Sequence, residues 1–372
     1  MPDMPQPPLT TLINAIPATV PFVGPEAQER DRGRAFKARI GANENGFGPS
    51  PRAIAAMREA AAGNWQYADP TSHDLIAAIA RLHAVKPANV VVGEGIDGLL
   101  GLNVHMAVER GAPVVTSDGA YPTFNFHVIS HGGQLVKVPY AAGREDIAGL
   151  LDAAHRQRAA ILYLSNPDNP MGSWWPAGEI HRLVASLPPG CLLCLDEAYI
   201  DTLPQADHPV IDVEHRQVLR FRTLSKAYGL AGARIGYAFG PARLIAAFEK
   251  VRNHYGINRV GQIGALAAIE DQEYLRQVVE KIARAREAIA TIARANGLNP
   301  LPSAASFVAI DCGRDGPYAK AILDGLIARD VFVRKPAIAP LDRTIRVSCA
   351  PDDALAVFAA ALPLAISEAQ GR

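Results

Sequence analysis

Across 372 residues the chain balances 37 Lys and Arg against 37 Asp and Glu. That neutrality, with no block of like charge, argues against nucleic acid or an anionic membrane surface as the partner. The length exceeds what one hydrophobic core usually supports and predicts two domains, while the apolar stretch from Ala354 to Ile366, broken by Pro363, is too short to cross a bilayer.

The opening MPDMPQPPLT is Pro-rich and lacks the basic-then-apolar order of a secretory signal, so a soluble cytoplasmic protein is expected. Residues 1–40 read as an N-terminal arm with part of a small domain. Residues 41–255 read as a large domain in which short branched runs, at 90–92, 114–115, 161–164, 192–195 and 218–221, end in Gly, Ser, Asn or Asp. Strands of a mostly parallel sheet covered on both faces have this texture. Helical stretches such as 98–110 and 177–187 lie between them, which makes an α/β layer pattern. From about residue 256 the texture changes. Leu275, Val278, Val279, Ile282, Ile289 and Ile292 recur at helical spacing up to Asn296-Gly297, a usual stop. Strand-like residues 307–310, 331–333 and 345–348, then a terminal helix from Pro351, complete a smaller α+β domain over 256–372.

Two motifs invite a metal or redox reading and do not support one. Cys191-Leu192-Leu193-Cys194 is formally C-x-x-C, but in a strand positions three apart point to opposite faces. His127 and His131 have the spacing of helical ligands, yet no acid or third ligand stands beside them.

The chemistry concentrates after the strands. Lys226 lies in Arg222-Thr223-Leu224-Ser225-Lys226-Ala227-Tyr228-Gly229, with Arg234 eight positions on, and Asp196-Glu197-Ala198-Tyr199 closes the run that begins at Cys191. An amine flanked by hydroxyls and a guanidinium suits a phosphorylated aldehyde, so the set reads as a pyridoxal phosphate site. Lys226 would condense with the aldehyde and then act as base. Asp196 would keep the pyridine nitrogen protonated, and Thr223, Ser225 and Arg234 would hold the phosphate. Asn166 to Asn169, Asp196 and Ser225-Lys226 all follow strand candidates, where ligands of such sheets bind.

A rival reading starts from Gly93-Glu94-Gly95-Ile96-Asp97-Gly98, which fits G-x-G-x-x-G, with Asp118 placed as a ribose-binding acid. An NAD-dependent dehydrogenase would leave Asn169, Asp196, Tyr199, Lys226 and Arg234 without a role.

Taken in order, Asn43-Glu44-Asn45, Gly48-Pro49-Ser50-Pro51, Tyr67, Asp69-Pro70, Gly93 to Asp97, Tyr121, Asn166-Pro167-Asp168-Asn169-Pro170, Asp196 to Tyr199, Ser225-Lys226 and Arg346 resemble the fold-type I aminotransferases. The likeness runs from about Pro21 to Arg346 and is greatest to the histidinol-phosphate aminotransferase branch. It implies a seven-stranded, mostly parallel sheet in the large domain and a homodimer with shared active sites. It implies backbone donation from Gly95, Ile96 and Asp97 to the cofactor phosphate, Tyr121 stacked on the ring, and Asn169 and Tyr199 as donors to the ring oxygen. Tyr67 would reach the partner subunit's phosphate. Arg346 and Arg334 would bind the substrate anion, with Asn43 beside the substrate and Asn258 nearby. The expected substrates are a small amino donor and a 2-oxo acid such as 2-oxoglutarate. The chain departs from the branch at Ala42, Asp168, Met171, Ser306 and Trp174-Trp175. The donor therefore stays open between histidinol phosphate and an aromatic or other amino acid, and a phospho-amino-acid decarboxylase would share almost the whole site.

Overall fold

The computed structural model describes residues 7–18 and 23–371. Residues 1–6, 19–22 and 372, which include parts of the expected N-terminal arm, lie outside the described residues. The strands in chain order are β1 (Ala38–Arg39), β2 (Val90–Glu94), β3 (Pro113–Ser117), β4 (Gln134–Val138), β5 (Ile161–Ser165), β6 (Leu192–Asp196), β7 (Val218–Thr223), β8 (Ile235–Phe239), β9 (Asn299–Pro300), β10 (Phe307–Asp311), β11 (Val331–Phe332) and β12 (Thr344–Ser348). Seven of them form one sheet in the order β2-β8-β7-β6-β5-β3-β4. Neighbours are parallel except where β8 pairs with β2 and β7.

The central strands β5, β6 and β7 are buried along their whole length because helices cover both faces. Side chains of β6 alternate between two cores. Cys194 joins Leu219, Phe221 and Phe124 on one face, whereas Cys191, Leu193 and Leu195 join Leu150, Ile180 and Leu183 on the other. The C-x-x-C pair is thus split across the sheet, and both thiols are free. Sequence reading passes over β4 and β8. The first is a half-exposed edge strand that lacks a continuous apolar run, and the second is a five-residue strand interrupted by Gly236.

Arg220 and Arg222 are buried charges inside β7. Both point at Glu197, which accepts from Arg220 Nη2 at 2.6 Å and from Arg222 Nε at 2.9 Å, while the Phe239 ring covers the two guanidiniums at 4.8 and 5.3 Å. Alternation puts Glu197 on this structural side and its neighbour Asp196 elsewhere.

The smaller unit is built on the antiparallel sheet β12-β10-β9 and the parallel pair β1-β11. The helix Gln272–Ala295, capped by Asp271 and followed by Gly297 at φ 72°, lays Val278, Ile282, Ile289 and Ala293 on that core. The terminal helix Asp352–Gln370 runs through Pro363. No helix among the described residues is long and apolar enough to cross a membrane.

The core clusters divide the chain later than residue 255. Ile257, Ala265, Ala268 and Ile269 pack with Leu75, Ile79, Val92 and Tyr237 of the large unit, because the helix Arg259–Ile269 lies against Pro51–Ala61 closely enough that a Cβ on Gly264 would meet Met57. We place the division near residue 271, at the cap of the long helix.

Glu197→Ala should strand two buried guanidiniums and lower the unfolding free energy by about 3–5 kcal/mol, read as a shifted denaturant midpoint at unchanged slope. A loss below about 1 kcal/mol would show that water reaches these arginines.

Candidate active site

Register brings the chemistry to one level. Ser165 of β5 pairs with Asp196 of β6, and Asp196 with Phe221 of β7, so the loops that follow β5, β6 and β7 leave the sheet side by side. They open into a cavity of two connected chambers. The smaller, about 250 Å³, is lined by Asp196, Lys226, Thr223, Ser225, Arg234, Ile96 and Asp97. The larger, about 650 Å³, is lined by Arg334, Lys335, Arg346, Asn43, Asn125 and Lys137. Lys226, Tyr121, Asn169, Tyr199 and Ala42 belong to both.

Lys226 sits at that junction. Its Nζ donates to the Asn43 carbonyl at 3.1 Å and lies 5.6 Å from the centre of the Tyr199 ring. Burial, with Arg346 and Arg234 nearby, pulls the amine down to about 8, against the opposing pull of Glu44 and Asp196. A substantial neutral fraction at physiological pH is what a base requires. The loop holding Lys226 is clamped from the N-terminal side, since Asn45 Nδ2 donates to the Ala227 carbonyl at 2.9 Å. Asn43 adopts φ 55°, a left-handed conformation that asparagine tolerates.

Asp196 is pushed up to about 6 by burial, against the lowering donors Tyr163 Oη (2.6 Å) and Ala198 N (2.9 Å) and the charge of Lys226. Tyr163 is a residue that sequence reading misses. Its one signal is a phenol in the middle of an apolar strand, which must find a partner when buried.

The phosphate-type contacts are also assembled. Thr223 Oγ1 and Ser225 Oγ lie 2.9 Å apart, Arg234 reaches the same chamber from a left-handed backbone, and Ile96 and Asp97 start the helix Gly95–Ala107. Two glycines permit the close approach. Gly95 has φ 75°, and a Cβ there would meet Arg234 Nη2 at 2.4 Å, while one on Gly236 would meet Ile96 N at 2.4 Å. Chain dipoles and a guanidinium converging on one cup make an anion site.

Tyr121 stands before the helix Pro122–His131 and lines both chambers; burial, then Asp97, raises its phenol to about 12. Burial also raises Tyr199, whose Oη accepts from Asn43 Nδ2 at 2.8 Å and whose ring meets Phe307 edge-on. Asn43 lines the larger chamber, and its amide bonds to Tyr199 and to Ser348 Oγ (3.3 Å), so it also braces the site. Asn258 is a helix cap that accepts from Gly261 N and donates to the Ala233 carbonyl.

On β12, Ile345 and Val347 face the small-unit core and Arg346 faces the cavity. Its Nη1 donates to Asn169 Oδ1 at 2.5 Å, leaving the Asn169 amide nitrogen as a donor. Burial lowers Arg346 to about 10. Arg334 is tied to it by paired backbone bonds of 2.6 and 3.3 Å, so two guanidiniums serve one chamber.

Several residues singled out in the sequence lie apart from the cavity. Tyr67 is 78% exposed, with its ring 4.7 Å from that of Tyr255, so it does not serve the cavity of its own chain. Trp174 and Trp175 donate to Asp207 and to the Glu145 carbonyl and line neither chamber. For the dinucleotide reading, four strands separate β2, which carries Gly93, from β3, which leads to Asp118, and Asp118 pairs with Lys137 at 3.2 Å. His127 bonds to Asp97 at 3.2 Å and His131 meets the His105 ring edge-on; no metal-holding cluster occurs among the described residues.

Arg346→Ala removes the largest charge that depresses the Lys226 amine. Its pKa should then rise from about 8 toward 10.5, measurable in the cofactor-free protein as an upward shift in the pH dependence of amine acylation. An unmoved profile would mean that Arg346 does not depress the amine and that burial and Arg234 set it.

The family model described as aminotransferase class I and II matches residues 37–362. The chain is similar to a solved histidinol-phosphate aminotransferase from Sinorhizobium meliloti in complex with pyridoxal-5'-phosphate, with 54% identity, 96% of this chain and 97% of that chain covered, and a TM-score of 0.93. The histidinol-phosphate aminotransferase of Erythrobacter litoralis is 35% identical over 82% of this chain and 83% of its own length. That of Granulibacter bethesdensis is 30% identical over 95% of each. A match that runs through both units and around the whole cavity makes this chain a member of the class I and II aminotransferases.

Proposed function

We propose that the enzyme uses pyridoxal 5'-phosphate to move an amino group from histidinol phosphate to a 2-oxo acid such as 2-oxoglutarate. The observation that carries this reading is one half-buried amine, Lys226, shared by a chamber holding Asp196 and a chamber holding two arginines. The smaller chamber fits the cofactor by its donor set. Asp196 suits the ring nitrogen, Asn169 and Tyr199 suit the ring oxygen, and Thr223, Ser225, Arg234 and the Gly95-Ile96-Asp97 amides suit the phosphate. The glycine cradle at Gly95, which a Cβ would fill, supports the same fit.

When bound, the cofactor supplies an electron sink for the carbon that carries the amine. The chain supplies the proton chemistry. Lys226 Nζ, whose proton affinity is lowered by burial and its cationic neighbours, would take the proton from that carbon and hand it on within the same half-reaction, the second half-reaction running the same transfer in reverse. Asp196, fixed by Tyr163 and the Ala198 amide, keeps its carboxylate aimed into the chamber. Arg346 and Arg334 orient the substrate through its anionic group, where planar forks bind phosphate or carboxylate bidentately. The paired guanidiniums and the likeness to the Sinorhizobium meliloti enzyme support a phosphorylated donor. Homodimerisation accounts for Tyr67, whose exposed ring is available to a second copy's site.

A half-reaction titration tests the donor. Histidinol phosphate alone should convert the cofactor absorbance rapidly, with aromatic amino acids slow; the reverse order would reassign the substrate. Lys226→Ala should lose turnover by at least about a thousandfold together with the lysine-bound chromophore, and retained turnover would overturn the role of this amine.

A further inference from the structure

Behind the cavity wall lie two carboxyls that line neither chamber. Glu145 is 1% exposed and Asp168 2%. Asp168 Oδ1 accepts from Tyr140 Oη at 2.8 Å and its Oδ2 from Met171 N at 3.2 Å. Glu145 Oε2 accepts from Ser165 N at 3.1 Å, while its Oε1 has no hydrogen-bond partner among the described residues. Glu145 is also faced by Ser117 and, beyond Asp168, by Asp196 with its Lys226; Asp168 is faced by Ser173 and by the cation Arg346, which in turn faces Tyr199 and Arg334.

We propose that Glu145 and Asp168 together hold at most one negative charge, carried by Asp168 when it ionises, and that this charge sets how tightly Arg346 binds the anionic group of the substrate. The proposal rests on the reading of Arg346 as the anion site. Two carboxylates this deeply buried cannot both stay ionised. The donors converge on Asp168, whereas the bare Oε1 of Glu145 is the place for a proton. Asp168 also organises the wall mechanically. Its backbone accepts from Gly172 N at 3.0 Å and donates to the Ser173 carbonyl at 2.8 Å, closing the turn that presents Asn169 to Arg346. Asp168 is therefore a positioning residue for specificity, acting through Arg346.

The sign of the coupling follows. Burial raises Asp168 to about 7 and Glu145 well above its usual range. Below about 7 both acids are neutral and Arg346 meets an incoming anion with its charge unopposed. Above that pH the Asp168 carboxylate competes, and by reciprocity a bound anion raises the proton affinity of Asp168.

Calorimetric titration of the cofactor-loaded enzyme with sulfate, whose charge is constant over this range, reads the coupling. The dissociation constant should rise about fivefold between about pH 6 and pH 8.5. Asp168→Asn should abolish the rise and bind sulfate at the upper pH as the parent does at the lower. Tyr140→Phe, which removes only a donor to the ionised form, should move the midpoint upward and serves if the asparagine variant does not fold. Glu145→Gln copies a neutral acid and should leave the rise in place. A rise that persists in Asp168→Asn, a midpoint unmoved in Tyr140→Phe or a rise lost in Glu145→Gln overturns the carboxyl pair. Sulfate binding that survives Arg346→Ala contradicts the anion role of Arg346, and the proposal with it.

Discussion

The structure depends on half-burying a lysine amine among cations. A buried ammonium is expensive, and two guanidiniums near Lys226 make the charged form dearer still, so the amine settles near 8. The rest of the site stabilises that condition without neutralising it by a close ion pair. A backbone carbonyl accepts from the amine, a phenol ring lies beside it, and Asp196 is engaged by its own donors. A carboxylate moved against Lys226 would restore its charge and remove the base.

Holding several desolvated charges at once requires a rigid frame, and both units contribute. Arg346 belongs to β12 of the small unit and bonds to Asn169 on the loop after β5 of the large one. Asn43 links Tyr199 to Ser348. Arg286, on the long helix, donates to the carbonyls of Thr202, Ser303 and Ala305 at 3.2 to 3.4 Å. Bonds of this kind make the substrate arginine part of the same assembly as the amine, so a shift of one unit is felt at both. Beneath the sheet, the Glu197 pair with Arg220 and Arg222 fixes β6 to β7 and thereby the level of Asp196 relative to Lys226.

Much of this was legible in the chain because it is locally encoded. The runs around Leu192 to Leu195 and Ile161 to Leu164 are continuous and apolar, as strands buried on both faces must be; Asp196 ends the first of them, and Lys226 lies three residues past β7. Features that depend on distant partners were not legible. Tyr163 finds Asp196 33 positions away, and nothing near Glu145 in sequence announces Asp168. The strand β8 runs against its neighbours and is broken by a glycine whose purpose, room for the Ile96 amide, appears only in three dimensions. Which core the segment after residue 255 joins is hidden in the sequence for a similar reason. The helix Arg259–Ile269 is apolar enough for either core, and its small residues Gly264 and Ala265 decide for the large one.

The central claim is that a single amine, Lys226, holds the cofactor. Borohydride reduction of the loaded enzyme, followed by proteolysis and mass mapping, tests it directly. The account predicts the cofactor's mass on the peptide containing Ser225-Lys226 and on no other lysine. Its attachment elsewhere, or a protein that takes up no cofactor, would contradict the account.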